Sequence, residues 1–350
     1  MAKLSALARS HLDPTPIFEL YRGNYGTELL TAAVAHFRVF ERLAGGPLDR
    51  ERLRGELGLA ERPFIVLLTA LRAMQLIAVD AAGRFELTPM AREHLVPGDA
   101  FDISQYIGLS ADTQGVRDMI ERLATNTPLG HKPEEQGVGF IYRDDLPSAM
   151  EQEATARHFT LALAGRAKNV APYLAERLPL ESARMLVDVG GGTGIYSIAC
   201  LERHPHLRAT VWDRPEVLKV AAEMARAYGV EDRLELLAGD MFVDSVPQDA
   251  DVILLSNILH DWDVRECQTL IGRCAAALPS GGRLVIHDVF LNDALDGPLP
   301  LALYSAALFT FTEGRAYSAA EYRTWLAAAG LRPEPIVPTL VHCGLLSGVK

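Results

Sequence analysis

The chain has 350 residues, more than one average domain and enough to bury a large core. Its 49% hydrophobic content is ordinary for a globular protein, and its net charge of −11 argues against a nucleic-acid or anionic-membrane partner. Four cysteines (Cys200, Cys267, Cys274 and Cys343) form no C-x-x-C pair, and neither a secretory leader nor an apolar run of membrane-spanning length is visible, so a reduced, cytoplasmic setting is expected.

In chain order, Leu30 to Leu43 has the apolar spacing of an amphipathic helix, which Gly45-Gly46-Pro47 breaks. Leu48 to Leu57 and Arg62 to Met74 predict two further helices. Leu76 to Val79 then pairs with Arg84 to Leu87 across Asp80-Ala81-Ala82-Gly83 as a hairpin. Three helices and a hairpin make a winged helix. Such folds often bind DNA, yet acidic and basic residues balance here and no basic stripe marks a recognition helix. Residues from about Ser148 to Ala175 predict a long connecting helix.

Leu-Val-Asp-Val-Gly-Gly-Gly-Thr-Gly, from Leu186 to Gly194, follows. An apolar run ending in Asp188 reads as a buried strand, which stops at four glycines within five residues, and a helix begins at Ile195. Glycine serves where the backbone turns with positive φ or approaches a ligand closely. Strand, glycine turn and helix open a doubly wound nucleotide-binding unit. No Lys-Ser/Thr pair follows in P-loop register. A dinucleotide fingerprint starting at Gly190 or Gly192 would place Ile195 or Ser197 where a glycine or alanine belongs. Asp188 suits a cationic ligand better than a pyrophosphate, and S-adenosylmethionine, with its ammonium and sulfonium, is such a ligand.

Leu207 to Trp212 predicts a second strand, with Asp213 placed to accept from ribose hydroxyls, a feature that NAD enzymes share. After a helix from Pro215 to Tyr228, Leu234 to Leu237 forms a third strand ending in Gly239-Asp240-Met241-Phe242. Asp240 would accept from an adenine amino group, with Met241 and Phe242 on the ring faces. A fourth strand, Asp251 to Leu255, runs into Ser256-Asn257-Ile258-Leu259-His260-Asp261-Trp262. A helix containing Cys267 and Leu270, a Pro279-Ser280-Gly281-Gly282 turn and a fifth strand from Arg283 to Val289 complete the pattern.

Asp-Val-Gly-Gly-Gly-Thr-Gly, Gly-Asp-Met-Phe, Leu-His-Asp-Trp and Thr-Glu-Gly-Arg, in this order, resemble the class I small-molecule O-methyltransferases, among them the caffeic acid and acetylserotonin enzymes and their bacterial secondary-metabolite branch. The resemblance runs from about Pro16 to the C-terminus. It implies an α/β protein: a Rossmann-like S-adenosylmethionine-binding domain with a mostly parallel doubly wound sheet, and an N-terminal α-helical winged-helix dimerisation domain. The expected boundaries are 1–110 for the dimerisation domain, 111–175 for a helical linker contributing to the acceptor pocket, and 176–350 for the methyltransferase domain.

The cofactor set expected is Asp188, Gly190, Gly192, Asp213, Asp240, Met241, Phe242 and Ser256. The resemblance makes His260 the general base, a role that neutral imidazole suits near pH 7, and Asp288 the carboxylate that orients it. The second acidic partner of the family is replaced by Ala316, so either Asp288 acts alone, or Glu313 substitutes, or no strong base is needed. Asp261 reads as the cap of the following helix. Met150, Trp262, Ala307 and Phe311 are the acceptor-side candidates, each also compatible with plain core, as are His158 and Phe159. His287 beside Asp288 invites a metal reading, but strand alternation points the two side chains to opposite faces, and no metal is expected.

The expectation is therefore a homodimer that methylates a small aromatic or polyketide-type hydroxyl using S-adenosylmethionine, with no nucleic-acid or membrane partner. The rivals are N- or C-methylation on the same scaffold, a non-methylating family member catalysing hydroxylation or a pericyclic step, and a winged-helix regulator that senses a small molecule.

Overall fold

The computed structural model describes residues 4–128 and 153–350. They divide into two compact units, neither contiguous in sequence: residues 19–128 with 291–318, and residues 4–18 with 153–290 and 319–350. This division departs from three consecutive segments at 1–110, 111–175 and 176–350. Residues 291–318 carry the helix Leu299–Phe311, apolar nearly all round. It packs against the helix Glu61–Ala73, and Ala306 and Phe309 join the N-terminal core. A helix with apolar residues on every side must be covered wherever it lies.

In the first unit, Asp49 caps the helix Arg50–Leu57 by accepting from the Arg52 amide, and Glu61–Ala73 follows. Strands β1 (Ile77–Val79) and β2 (Phe85–Leu87) form the expected antiparallel hairpin, with Val79 opposite Phe85. Asp80 closes its turn by accepting from the amides of Ala82 and Arg84. The single helix expected from Leu30 to Leu43 is instead three pieces: Gly26–Thr31, a π turn Ala32–His36, and Val39–Ala44. Arg38, at φ 52°, interrupts the helical backbone between the last two.

The second unit holds an eight-stranded mixed sheet. Strands β3 (Met185–Val189), β4 (Arg208–Asp213), β5 (Leu234–Ala238), β6 (Val252–Ser256) and β7 (Arg283–Val289) are parallel in spatial order β5-β4-β3-β6-β7. Their placement follows the apolar runs within a residue or so of expectation. Three strands went unread: β8 (Arg332–Pro333), β9 (Val337–Pro338) and β10 (Cys343–Val349), the last pairing antiparallel to β7 over its full length. The helix Pro215–Tyr228 starts on proline and ends at Gly229, as the sequence signals predict. The connecting helix spans Glu153–Arg177 and packs against the helices Ile195–Arg203 and Pro215–Tyr228.

Chain order moves outward from β3 to β5, then returns to β6 on the other side of β3. Because crossovers between parallel strands of one sheet are right-handed as a rule, this reversal of order sends the helices of the two halves to opposite faces and leaves a crevice at the carboxyl ends of β3 and β6, where open α/β sheets bind ligands. Among the described residues no helix is long and apolar enough to cross a membrane.

Candidate active site

The glycine turn after β3 is built around the Asp188 carboxylate. Asp188 is fully buried; Oδ2 accepts from the Ser197 hydroxyl at 2.8 Å, while Oδ1 has no hydrogen-bond partner among the described residues. Burial pushes its pKa up to about 7, opposed by Ser197 and assisted by the nearby charge of Asp213. A Cβ on Gly191 would sit 2.7 Å from that carboxylate, and one on Gly190, at φ 65°, would collide with the Ile258 side chain. No other residue type lets the backbone pass so close to both.

Asp213, ending β4, accepts from the Gly192 amide at 2.8 Å and the Arg214 amide at 2.7 Å, which ties the glycine turn to the neighbouring strand end. Desolvation raises its pKa against those two amides and Arg214. Beyond β5, Asp240 accepts from the Phe242 amide at 2.8 Å and pairs with Arg214 at 3.1 Å. The Met241 carbonyl accepts from Arg273, and the Phe242 ring meets Trp262 edge to face with centroids 4.6 Å apart. Trp262, expected near an acceptor, thus touches the residue expected near adenine. Ser256 is also committed locally: its Oγ lies 2.8 Å from His287 Nδ1 and accepts from Asn257 Nδ2.

His260 sits in the short 3-10 turn Leu259–Asp261 after β6, and Asp288 near the end of β7. Both are buried, and His260 Nδ1 lies 2.6 Å from Asp288 Oδ1. Asp288 Oδ1 also accepts from the Val289 amide, and Oδ2 from the Tyr322 hydroxyl at 3.4 Å. Desolvation works against a charged imidazole, but Asp288 and Asp261 together more than offset it, so the His260 pKa lies above the ordinary histidine value. Asp288, despite burial, is held below the usual carboxylate range by His260.

Asp261 is not the helix cap that the sequence suggested. Asp263 caps Val264–Ala277 by accepting from the Val264 amide, while Asp261 Oδ1 stands 3.6 Å from His260 Nε2, its pKa raised by burial to about 6. The cap sits two residues later because Trp262 is still extended and Asp263 is the residue before the first helical turn.

Ala307 and Phe311 lie one helical turn apart in the other compact unit, with Phe311 edge-on to Tyr25. Glu313 and Ala316 belong to that unit too; the buried Ala316 amide donates to Ser305 Oγ. Met150 lies outside the described residues. On the Glu153–Arg177 helix His158 and Phe159 meet edge to face, with His158 exposed. His287 is fully buried between Ser256 and Thr339, and among the described residues no His, Cys, Asp or Glu cluster is arranged to hold a metal.

Sequence reasoning missed Tyr322, Asn257 and Arg166. Arg166 Nη1 donates to Asn257 Oδ1 at 2.6 Å and Nη2 to Cys343 Sγ at 2.8 Å. Nothing local marks these partners, which stand 91 and 177 residues away.

A ligand with a cationic end, a ribose and a reacting group near His260 would meet complementary chemistry along this crevice. The buried, unpartnered Asp188 oxygen fits an ammonium, since an isolated buried carboxylate is costly until a cation pairs with it. Asp213, already fixed by two amides, fits ribose hydroxyls.

Comparison with known proteins agrees. The O-methyltransferase domain family matches residues 140–332. The 3-hydroxy-5-methyl-1-naphthoate 3-O-methyltransferase of Streptomyces sahachiroi is 35% identical over 91% of this chain and 89% of its own length. An L-tyrosine C(3)-methyltransferase from Streptomyces lavendulae is 30% identical over 86% of this chain and 82% of its own. The crystal structure of an O-methyltransferase family 2 protein from Planctomyces limnophilus, in complex with apigenin, superposes with a TM-score of 0.89 at 47% identity and full coverage of both chains. With the crevice and its carboxylates, these matches make the chain a member of the O-methyltransferase family, whose cofactor is S-adenosylmethionine.

Proposed function

We propose that this enzyme methylates the hydroxyl of a small aromatic or polyketide-type acceptor, with His260 as general base and Asp288 as its orienter. The observation that carries the reading is the 2.6 Å His260–Asp288 contact, buried at the carboxyl ends of adjacent parallel strands. Bound S-adenosylmethionine supplies a methyl group on a sulfonium, open to in-line displacement by an oxygen nucleophile. Asp188 pairs with its ammonium and Asp213 holds its ribose; Gly190 and Gly192 let the backbone approach it. Asp240, Met241, Phe242 and Ser256 complete that side, Asp240 and Ser256 through the local bonds they already make.

Asp288 accepts from His260 Nδ1, which leaves Nε2 as the atom that takes the acceptor proton. Asp261, near that nitrogen, stabilises the imidazolium that results. Such a base contributes about two to four orders of magnitude, and positioning about 7–11 kcal/mol of barrier. Met150, Trp262, Ala307 and Phe311 are assigned to the acceptor side. The flat aromatic molecules named with the naphthoate enzyme and the apigenin complex suit an apolar, aromatic lining.

C-methylation is the second reading, favoured by the tyrosine C(3)-methyltransferase relative and by Ala316 in place of an acidic residue. Turnover of S-adenosylmethionine with 3-hydroxynaphthoate, apigenin and tyrosine, with products identified by mass spectrometry and NMR, separates the two. An O-methyl product lost in His260→Gln supports the proposal; a ring C-methyl product overturns it.

We also assign the N-terminal helices and hairpin, within residues 1–110, to a winged-helix dimerisation domain, with 111–175 as helical linker and 176–350 as the catalytic part, apart from residues 291–318, which pack with the N-terminal helices. The exposed Phe101, Ile103, Tyr106 and Leu109 support an interface there. Light scattering should give twice the mass of one chain.

A further inference from the structure

Arg166 projects from the helix Glu153–Arg177 toward two segments that are far apart in sequence. One guanidinium nitrogen donates to Asn257, whose backbone is left-handed at φ 57°. Asparagine tolerates that conformation better than most residues, yet it still needs support from its surroundings. Asn257 is three residues before His260, and its amide donates to the His287 carbonyl, so its turn sets how the chain leaves β6 toward the imidazole. The other guanidinium nitrogen donates to Cys343, the first residue of β10, which pairs with Val289 beside Asp288.

We propose that Arg166 is a positioning residue for methyl transfer: it fixes the Asn257 turn that presents His260 and, through Cys343, the strand pairing that presents Asp288. The proposal rests on the reading of His260 as base. Arg166 also acts through its charge. His260 is faced by Asp288 from β7, by Asp261 from its own turn, and by Tyr322 through Asp288 from the helix Ala319–Ala328, while the Cys267 thiol of the helix Val264–Ala277 donates to the carbonyl of the preceding residue, Leu259. The two carboxylates raise the imidazole pKa, and the Arg166 guanidinium is the opposing cation. It also disfavours protonation of His287. The same side chain therefore holds the dyad in place and keeps more of its imidazole in the neutral form that accepts a proton.

The test needs no acceptor. Histidine-labelled protein saturated with S-adenosylhomocysteine is titrated by NMR, with His260→Gln used to assign the resonance. In Arg166→Met the His260 midpoint should rise by about half a pH unit or more, and Arg166→Lys should return most of it. The downfield Nδ1–H resonance shared with Asp288 should broaden by faster exchange in Arg166→Met and in Asn257→Ala, which leaves the charge in place. An unchanged midpoint in Arg166→Met, or a lysine variant displaced as far as the methionine one, overturns the electrostatic role. An unchanged Nδ1–H resonance in Asn257→Ala overturns the positioning role, and this holds even if Arg166→Met fails to fold. Failure of the base reading shows elsewhere, as normal turnover by His260→Gln while these couplings persist.

Discussion

Two histidines, one in the turn after β6 and one on the neighbouring β7, are both buried, and their surroundings drive them opposite ways. His260 is bracketed by Asp288 at Nδ1 and by Asp261 near Nε2, and its pKa is raised. His287 is bonded to the Ser256 and Thr339 hydroxyls, has the Tyr196 ring edge-on at 5.3 Å, and is pushed down to about 3, by desolvation first and by Arg166 second. Carboxylates let a buried imidazole exchange a proton near neutral pH; hydroxyls and an aromatic edge hold it neutral as packing. Residue type and burial do not separate these two histidines. The charge of their partners does.

The largest expected contrast comes from removing each ring. His260→Ala should lower kcat by about two to four orders of magnitude, with S-adenosylhomocysteine affinity little changed. His287→Ala should keep turnover within about tenfold of the parent but cost about 1–3 kcal/mol in denaturant unfolding, because Ser256 and Thr339 lose a buried partner. Equal losses of kcat in the two variants would erase the distinction.

Next comes the carboxylate proposed to orient His260. Asp288→Asn should cost up to about 10⁴-fold in kcat, the scale found when a buried orienting aspartate is amidated in a hydrolase triad. The pH profile gives the sign. A base works when neutral, so kcat/KM should climb with pH through a His260 pKa above the usual 6.5 and then level off. In Asp288→Asn, with the raising charge gone, that climb should move to lower pH.

A smaller effect belongs to the glycine turn. Asp188, with a pKa of about 7, must ionise to pair with an ammonium. Affinity for S-adenosylhomocysteine, read by calorimetry, should therefore fall as pH drops below about 7, by at most about tenfold per pH unit, and Asp188→Asn should flatten the dependence. The smallest effect is at Tyr322, whose 3.4 Å bond to Asp288 is long. Tyr322→Phe should change stability by about 1 kcal/mol or less and shift the His260 midpoint only slightly.

Much of the catalytic unit was legible because its signals are local. Apolar runs fixed β3 to β7, proline and glycine bounded Pro215–Tyr228, and the glycine turn with its acidic residue named a ligand class. The dyad became legible through ordered motifs, since no local rule pairs His260 with Asp288. Cys343–Val349 escaped because Cys-Gly-Leu-Leu-Ser-Gly-Val is interrupted by two glycines and buried on both faces, so it lacks strand alternation. The break at Arg38 escaped because an arginine gives no warning of positive φ. Asp263 rather than Asp261 capping its helix was a two-residue error between two aspartates separated only by Trp262. Arg166 was invisible because its meaning depends on contacts made only in the folded chain.

The most direct test of the central claim is a comparison of parent enzyme and His260→Gln in S-adenosylmethionine turnover on 3-hydroxynaphthoate and apigenin, with S-adenosylhomocysteine affinity measured on the same samples. The account predicts equal affinity and turnover at least about a hundredfold slower in the variant. Equal turnover at equal affinity would contradict it and leave His260 as packing, like His287.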